Sequence, residues 1–124
     1  MQQKRATILI ADDEESVRRV VIKMLGSKYV ALEAKNGEEA LQLTRANRPN
    51  VILMDMFMPK MDGCTACFEL KKDEITRVIL VVAMTGRGGP LEEKLVLAMG
   101  AKGYLSKPFD QKDLLNKITP SLEK

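Results

Sequence analysis

The feature that most constrains this chain is Val51-Ile-Leu-Met-Asp55, four consecutive apolar side chains ending on a carboxylate. A run without alternation is expected of a strand buried on both faces of a parallel sheet. Such a strand does not end on a charge by accident. Pro59 and the Asp62-Gly63 pair follow with strong turn signals, so Asp55 belongs at the carboxyl end of the strand, beside a loop. In open α/β sheets that edge is where ligands bind.

The rest of the chain supplies the helices and strands that such a sheet requires. A first strand over Ala6–Ala11 leads into Asp12-Asp13-Glu14-Glu15, four acids that open a helix with Val17, Val20, Val21, Met24 and Leu25 on one stripe and Gly26 as its stop. Capping at the positive end of the helix dipole explains one or two of these acids, less easily four. Residues 29–34 alternate, with Val30, Leu32 and Ala34 inward, the pattern of a strand near a sheet edge. Asn36-Gly37 reads as the turn after it. A second helix over 38–46 buries Ala40, Leu41 and Thr44, and a third, after Gly63, carries Cys64, Cys67 and Leu70 inward.

Residues 78–84 are again continuously apolar and therefore a central strand. The loop Thr85-Gly-Arg-Gly-Gly-Pro90 precedes a fourth helix with Leu91, Leu95, Ala98 and Met99 on one stripe. A short strand over 103–106 reaches Lys107-Pro108, and a last helix from about 111 buries Leu114, Leu115, Ile118 and Leu122. Five strands alternating with five helices predict a three-layer (βα)5 sandwich with right-handed parallel crossovers.

Composition narrows the chemistry. The 124 residues fit one domain over 1–124, and no apolar run approaches the ~20 residues of a membrane span, so a cytoplasmic protein without membrane contact is expected. The net charge of +3 is spread along the chain and aromatics make up only 4%, which argues against a nucleic-acid surface. There is no histidine. That removes histidine-activated serine or cysteine nucleophiles and histidine metal ligands, leaving carboxylates, hydroxyls, lysine and thiols.

Four strand ends then bring Asp12 and Asp13, Asp55, Thr85 and Lys107 to one edge. Clustered carboxylates repel one another unless a cation neutralises them. Oxygen-only ligands suit Mg²⁺, which keeps several waters and needs one or two carboxylates. A hydroxyl from Thr85 and the mobile charge of Lys107 complete a site suited to phosphoryl transfer, where positioning and charge neutralisation dominate.

With Asp12-Asp13, Asp55-Met-Phe-Met-Pro-Lys-Met-Asp-Gly63, Met84-Thr85-Gly86 and Tyr104-Leu-Ser-Lys107-Pro108 in this order and at these separations, the whole chain resembles the receiver domain of bacterial two-component response regulators. The resemblance implies a flavodoxin-like sheet of order 2-1-3-4-5. It implies that Asp55 accepts a phosphoryl group from a phosphohistidine on a sensor histidine kinase or histidine phosphotransfer protein. Asp13, Asp55 and the main-chain carbonyl of Phe57 would bind Mg²⁺, with Asp12 acting mostly through water. Thr85, Gly86 and Lys107 would contact the phosphoryl group. Thr85 and Tyr104 would be the moving switch, reshaping the surface of the fourth helix, fifth strand and fifth helix for a downstream effector or output domain that the sequence does not name. The chain would catalyse only its own phosphorylation and dephosphorylation, and Lys107-Pro108 would be cis.

Two rival readings rest on residues. Cys64-Thr-Ala-Cys67 has the spacing of a thiol redox motif, but positions shared with Leu70 make small buried hydrophobes the better reading, and zinc would need two further ligands. An aspartate-nucleophile phosphatase of the haloacid dehalogenase type expects a second acid two residues after the nucleophile, where this chain has Phe57. Gly86-Arg-Gly-Gly89 lacks the P-loop lysine and reads as a flexible loop. Phe57 and Arg87 are in positions that, in receivers, flank the path of the hydrolytic water. Phe57 is bulkier than the residues often found there.

Overall fold

The computed structural model describes residues 5–86 and 90–122. Strands β1 (Ala6–Ala11), β2 (Tyr29–Ala34), β3 (Val51–Asp55), β4 (Leu80–Thr85) and β5 (Gly103–Ser106) alternate with helices α1 (Glu15–Leu25), α2 (Gly37–Asn47), α3 (Gly63–Lys72), α4 (Pro90–Ala98) and α5 (Gln111–Leu122). All pairings are parallel and the order is β2-β1-β3-β4-β5. The fold and the edge position of β2 are as expected from the sequence.

Alternate residues of the central strands feed two cores. Leu9, Ile52 and Val81, neighbours in register, pack with Leu41 of α2, Leu70 of α3 and Val96 of α4. Ile8, Val51 and Val82 face the other way, toward Val21 and Leu25 of α1 and Leu114 and Ile118 of α5. Covered on both sides, β3 is buried along its whole length, which is why its sequence carries no polar alternation. The chain leaves β1 toward β2 and then returns past β1 to β3, so the direction of winding reverses between β1 and β3. Their carboxyl ends border the crevice that such a reversal opens.

Helix boundaries and faces depart from expectation in four places. α1 begins at Glu15 with Glu14 as N-cap, and no side chain caps it; Asp12 and Asp13 belong to the preceding loop. Val20 is exposed, since the buried line of α1 runs through Val21 and Leu25. β4 starts at Leu80 rather than at 78: residues 74–78 form a turn and Val78 is 72% exposed. Among the described side chains of α4 the buried one is Val96, whereas Leu95 is 58% exposed and Ala98 also faces out. A nine-residue helix makes only about two and a half turns, too few for periodicity to define its inner face. The side chain of Leu91 and the Arg87-Gly88-Gly89 segment lie outside the described residues.

Candidate functional site

β1, β3, β4 and β5 end at the same edge of the sheet. Ala11 pairs with Met54, Asp55 with Met84, and Thr85 with Ser106. Register alone therefore aligns residue 12 with Asp55 and puts Thr85 one step and Lys107 two steps beyond them. Asp12, Asp13 and Asp55 each offer a carboxylate oxygen, all within 4.8 Å of one another. Lys107 Nζ donates to Asp12 Oδ2 at 2.7 Å and lies 3.6 Å from Asp55 Oδ2.

Local packing holds each group. Asp12 Oδ1 accepts the Glu14 N–H at 2.9 Å, and Arg18 of α1 donates to the Asp12 carbonyl at 2.7 Å while pairing with Glu33 of β2. Asp55 Oδ1 accepts the Phe57 N–H at 3.2 Å. The loop after Asp55 is clamped by two glycines. A Cβ on Gly63 would collide with the Asp55 carbonyl, and one on Gly37 with the Met61 carbonyl, which already accepts the Gly37 N–H at 2.8 Å. Asn36, expected in a turn, is the N-cap of α2 and accepts the Glu39 N–H. Lys107-Pro108 is cis, as expected, and the Lys107 N–H donates to the Thr85 carbonyl at 2.7 Å.

The electrostatics follow from burial. Asp55 is 5% exposed, and desolvation pushes its carboxyl up from 3.8 to about 6. The Phe57 N–H and Lys107 oppose that rise, while Asp12 and Asp13 add to it. Burial tends to lower the Lys107 pKa, but its hydrogen bond to Asp12 and the charges of Asp55 and Asp12 outweigh it, leaving the ammonium more basic than usual. Three carboxylates facing one ammonium are left with negative charge in excess. A donor set of oxygens only, with no thiolate or imidazole among the three acids, fits a hard cation such as Mg²⁺.

The comparisons with known proteins agree with that geometry. The response regulator receiver domain family matches residues 8–119. The chain belongs to that family. It is 37% identical over 98% of its length to histidine kinase P4 of Formosa agariphila, of which it covers 9%, and 35% identical over its full length to the probable transcriptional regulator ycf27 of Porphyra purpurea, of which it covers 50%. The chain thus spans half or less of these curated relatives. Among solved structures it is similar to chemotaxis protein CheY4 of Vibrio cholerae, with a TM-score of 0.88 and 28% identity, covering 95% of this chain and 99% of that one.

As a receiver domain of two-component signalling, the chain has its acidic pocket where the sequence placed it. Thr85 is fully buried, Tyr104 is half-buried against the α3 and α4 side of the core, and Gly86 is exposed at the start of the loop. Phe57 stands 54% exposed beside Asp55. The cysteines are free, and both thiols are pushed up, mainly by burial, Cys67 to about 12. That is the reverse of the low pKa a redox thiol needs. Two contributors escaped the sequence reading: Arg18, which anchors the Asp12 loop, and Glu92 in the first turn of α4, which accepts the Thr85 hydroxyl at 3.1 Å. An arginine in an amphipathic helix and a glutamate at a helix start both have ordinary surface explanations, so no local signal marks either.

Proposed function

We propose that Asp55 is the phosphoacceptor of this receiver domain and that its phosphorylation switches the α4-β5-α5 surface. The reading is carried by one observation: a buried strand-end carboxylate stands beside two further aspartates and a lysine, with a threonine hydroxyl at the next strand end. An oxygen of Asp55 attacks the phosphorus of a partner's phosphohistidine. The phosphorus–nitrogen bond breaks as the acyl phosphate forms, and the imidazole leaves with the electron pair. Asp13, Asp55 and the Phe57 carbonyl would hold Mg²⁺, with Asp12 acting through water. When bound, the ion would neutralise the carboxylates and the charge on the incoming phosphoryl oxygens.

Lys107 is within a side-chain swing of Asp55 and would transfer its ion pair from Asp12 to a phosphoryl oxygen. Thr85 and the Gly86 N–H would hydrogen-bond the same group, and Tyr104 would follow Thr85 inward, remodelling the face that α4, β5 and α5 share. An effector or output domain would read that face. Adjoining that face, an apolar groove of about 440 Å³ lies between α1 and the Lys107–Phe109 turn, lined by Val17, Val20, Met24, Pro108 and Phe109. Its place next to Lys107 suits a phosphodonor helix from a kinase or phosphotransfer protein. No helix among the described residues is long and apolar enough to cross a membrane, and the site chemistry fits a domain working in the cytoplasm.

Incubation with acetyl phosphate and Mg²⁺, followed by intact mass and peptide mapping, tests the assignment. Wild-type protein gains one phosphoryl group on Asp55 and Asp55→Ala gains none. A gain that survives the substitution refutes the assignment.

Loss of the phosphoryl group requires water to approach in line with the acyl phosphate bond. The Phe57 ring, two residues downstream and half exposed, would shield that approach. Phe57→Asn is therefore expected to dephosphorylate several-fold faster in Mg²⁺. An unchanged or slower decay would remove shielding as the role of the ring.

A further inference from the structure

Thr85 ends β4 with its side chain wholly buried, and its hydroxyl donates to Glu92 Oε1 at 3.1 Å. Glu92 is seven residues on, in the first turn of α4, and partly exposed. A hydroxyl carries one proton, so donation to Glu92 and donation to a phosphoryl oxygen exclude one another. The acceptor in place is a carboxylate, which makes the bond charge-assisted and stronger than one to a neutral group.

Glu92 also makes itself felt across the loop region at α3. Its charge, with that of Asp62, acts on the Cys64 thiol at the start of α3. Cys64 Sγ in turn lies 3.7 Å from Met56 Sδ, one residue past Asp55. The Glu92 carboxylate is thus within electrostatic range of the start of α3 as well as in the first turn of α4. Its hydrogen bond to Thr85 acts against any state that needs the same hydroxyl proton elsewhere.

We propose that Glu92 is a positioning residue for the switch. It holds the Thr85 hydroxyl away from Asp55 in the unphosphorylated protein and must release it before α4 and Tyr104 rearrange. The proposal rests on the reading of Asp55 as phosphoacceptor and adds what sets the threshold of that site: phosphorylation succeeds when the phosphoryl oxygens out-compete a carboxylate for one proton. Glu92 touches neither phosphoryl group nor metal and acts through Thr85.

The test titrates beryllofluoride, a phosphoryl mimic, with Mg²⁺ into wild type, Glu92→Ala and Glu92→Gln, followed by ¹⁹F NMR. Each substitution is repeated in a Thr85→Ala background, and the Thr85 methyl resonance is recorded without metal. Removing a hydrogen bond to a charged group is expected to tighten mimic binding about tenfold in Glu92→Ala. Glu92→Gln, which keeps an acceptor but not the charge, falls between. In the Thr85→Ala background the gain disappears, and the Thr85 methyl shift of metal-free Glu92→Ala moves toward that of the activated protein. Equal affinities for Glu92→Ala and wild type, or a gain that persists without Thr85, overturn the proposal while leaving the phosphoacceptor intact. A wild type that takes neither mimic nor phosphoryl group on Asp55 overturns the phosphoacceptor reading and the latch together.

Discussion

Asp55→Asn is expected to be more stable than the wild type in chelator at about pH 8, by at most about 3 kcal/mol, and no more stable at about pH 4. The Asp55 carboxyl is pushed from 3.8 up to about 6, so folding favours its neutral form. A folded-state pKa above the unfolded one contributes stability that is complete below 3.8 and is lost as pH rises through about 6. Above that window the wild type carries a charge that its own burial, with help from Asp12 and Asp13, opposes. Asparagine keeps the shape and never ionises. A shift of roughly two units is worth about 3 kcal/mol, an upper bound because Mg²⁺-free protein can relax around the pocket.

Urea midpoints at the two pH values measure the difference, and Mg²⁺ provides the complement. The ion should raise the wild-type midpoint and move Asp55→Asn far less, since binding to the native state stabilises by mass action and the variant would lack one of the proposed ligands. Midpoints that coincide at about pH 8, or separate most at about pH 4, would show that burial of this charge is not what perturbs Asp55.

Lys107→Met should lose in the opposite sense. The wild-type ammonium donates to Asp12, whose side chain is fully buried, and stands 3.6 Å from Asp55, while itself only 21% exposed. Deleting one partner of a buried pair leaves the other uncompensated, a cost of about 3–5 kcal/mol, reduced here by the partial exposure of the lysine. The folded-state pKa of Lys107 lies above its unfolded value of 10.5. Its contribution is therefore present through neutral pH and is lost only as pH rises through the folded pKa. The loss of stability should accordingly be largest at neutral to mildly alkaline pH and shrink as pH falls through about 6, where Asp55 protonates.

With Lys107 in the proposed phosphoryl-binding role, the same substitution would remove a preorganised charge from the phosphoryl oxygens, and phosphorylation by acetyl phosphate should slow about 10²- to 10³-fold. Mg²⁺ separates the two effects: it should restore much of the stability by neutralising the same acids, yet leave the rate low. A rate rescued together with the stability would mean that Lys107 only balances charge. Double substitution with Asp55→Asn should recover part of the stability, because one of the two stranded acids is gone.

The residues that were legible in advance are those whose evidence is local. Val51–Asp55 is continuously apolar because β3 is covered on both faces, and a turn-rich loop after it is enough to place Asp55 at the strand end. Lys107-Pro108 was read as cis from its resemblance to receivers rather than from the dipeptide itself. Where the reading failed, a local pattern was consistent with more than one tertiary outcome. Val78 looks like strand but belongs to a turn, since apolar character does not say where pairing with β3 begins. Leu95 rather than Val96 looked like the inner residue of α4, since rotating a short helix by one residue changes its buried face.

By itself, the sequence determined that five strands alternate with five helices and that aspartates, a threonine and a lysine each end or directly follow a strand. Hydrophobic period and turn chemistry are short-range properties, and the parallel crossover rule makes them sufficient to bring those groups to one edge. Only the tertiary structure decided their partners. Lys107 donates to Asp12 rather than to Asp55, Arg18 reaches back to the Asp12 carbonyl, and the Thr85 hydroxyl turns to Glu92. The reason is scale. Which of two acceptors a side chain chooses depends on differences of about an ångström, set by register, by helix rotation and by the close approach of Gly37 and Gly63 to neighbouring carbonyls.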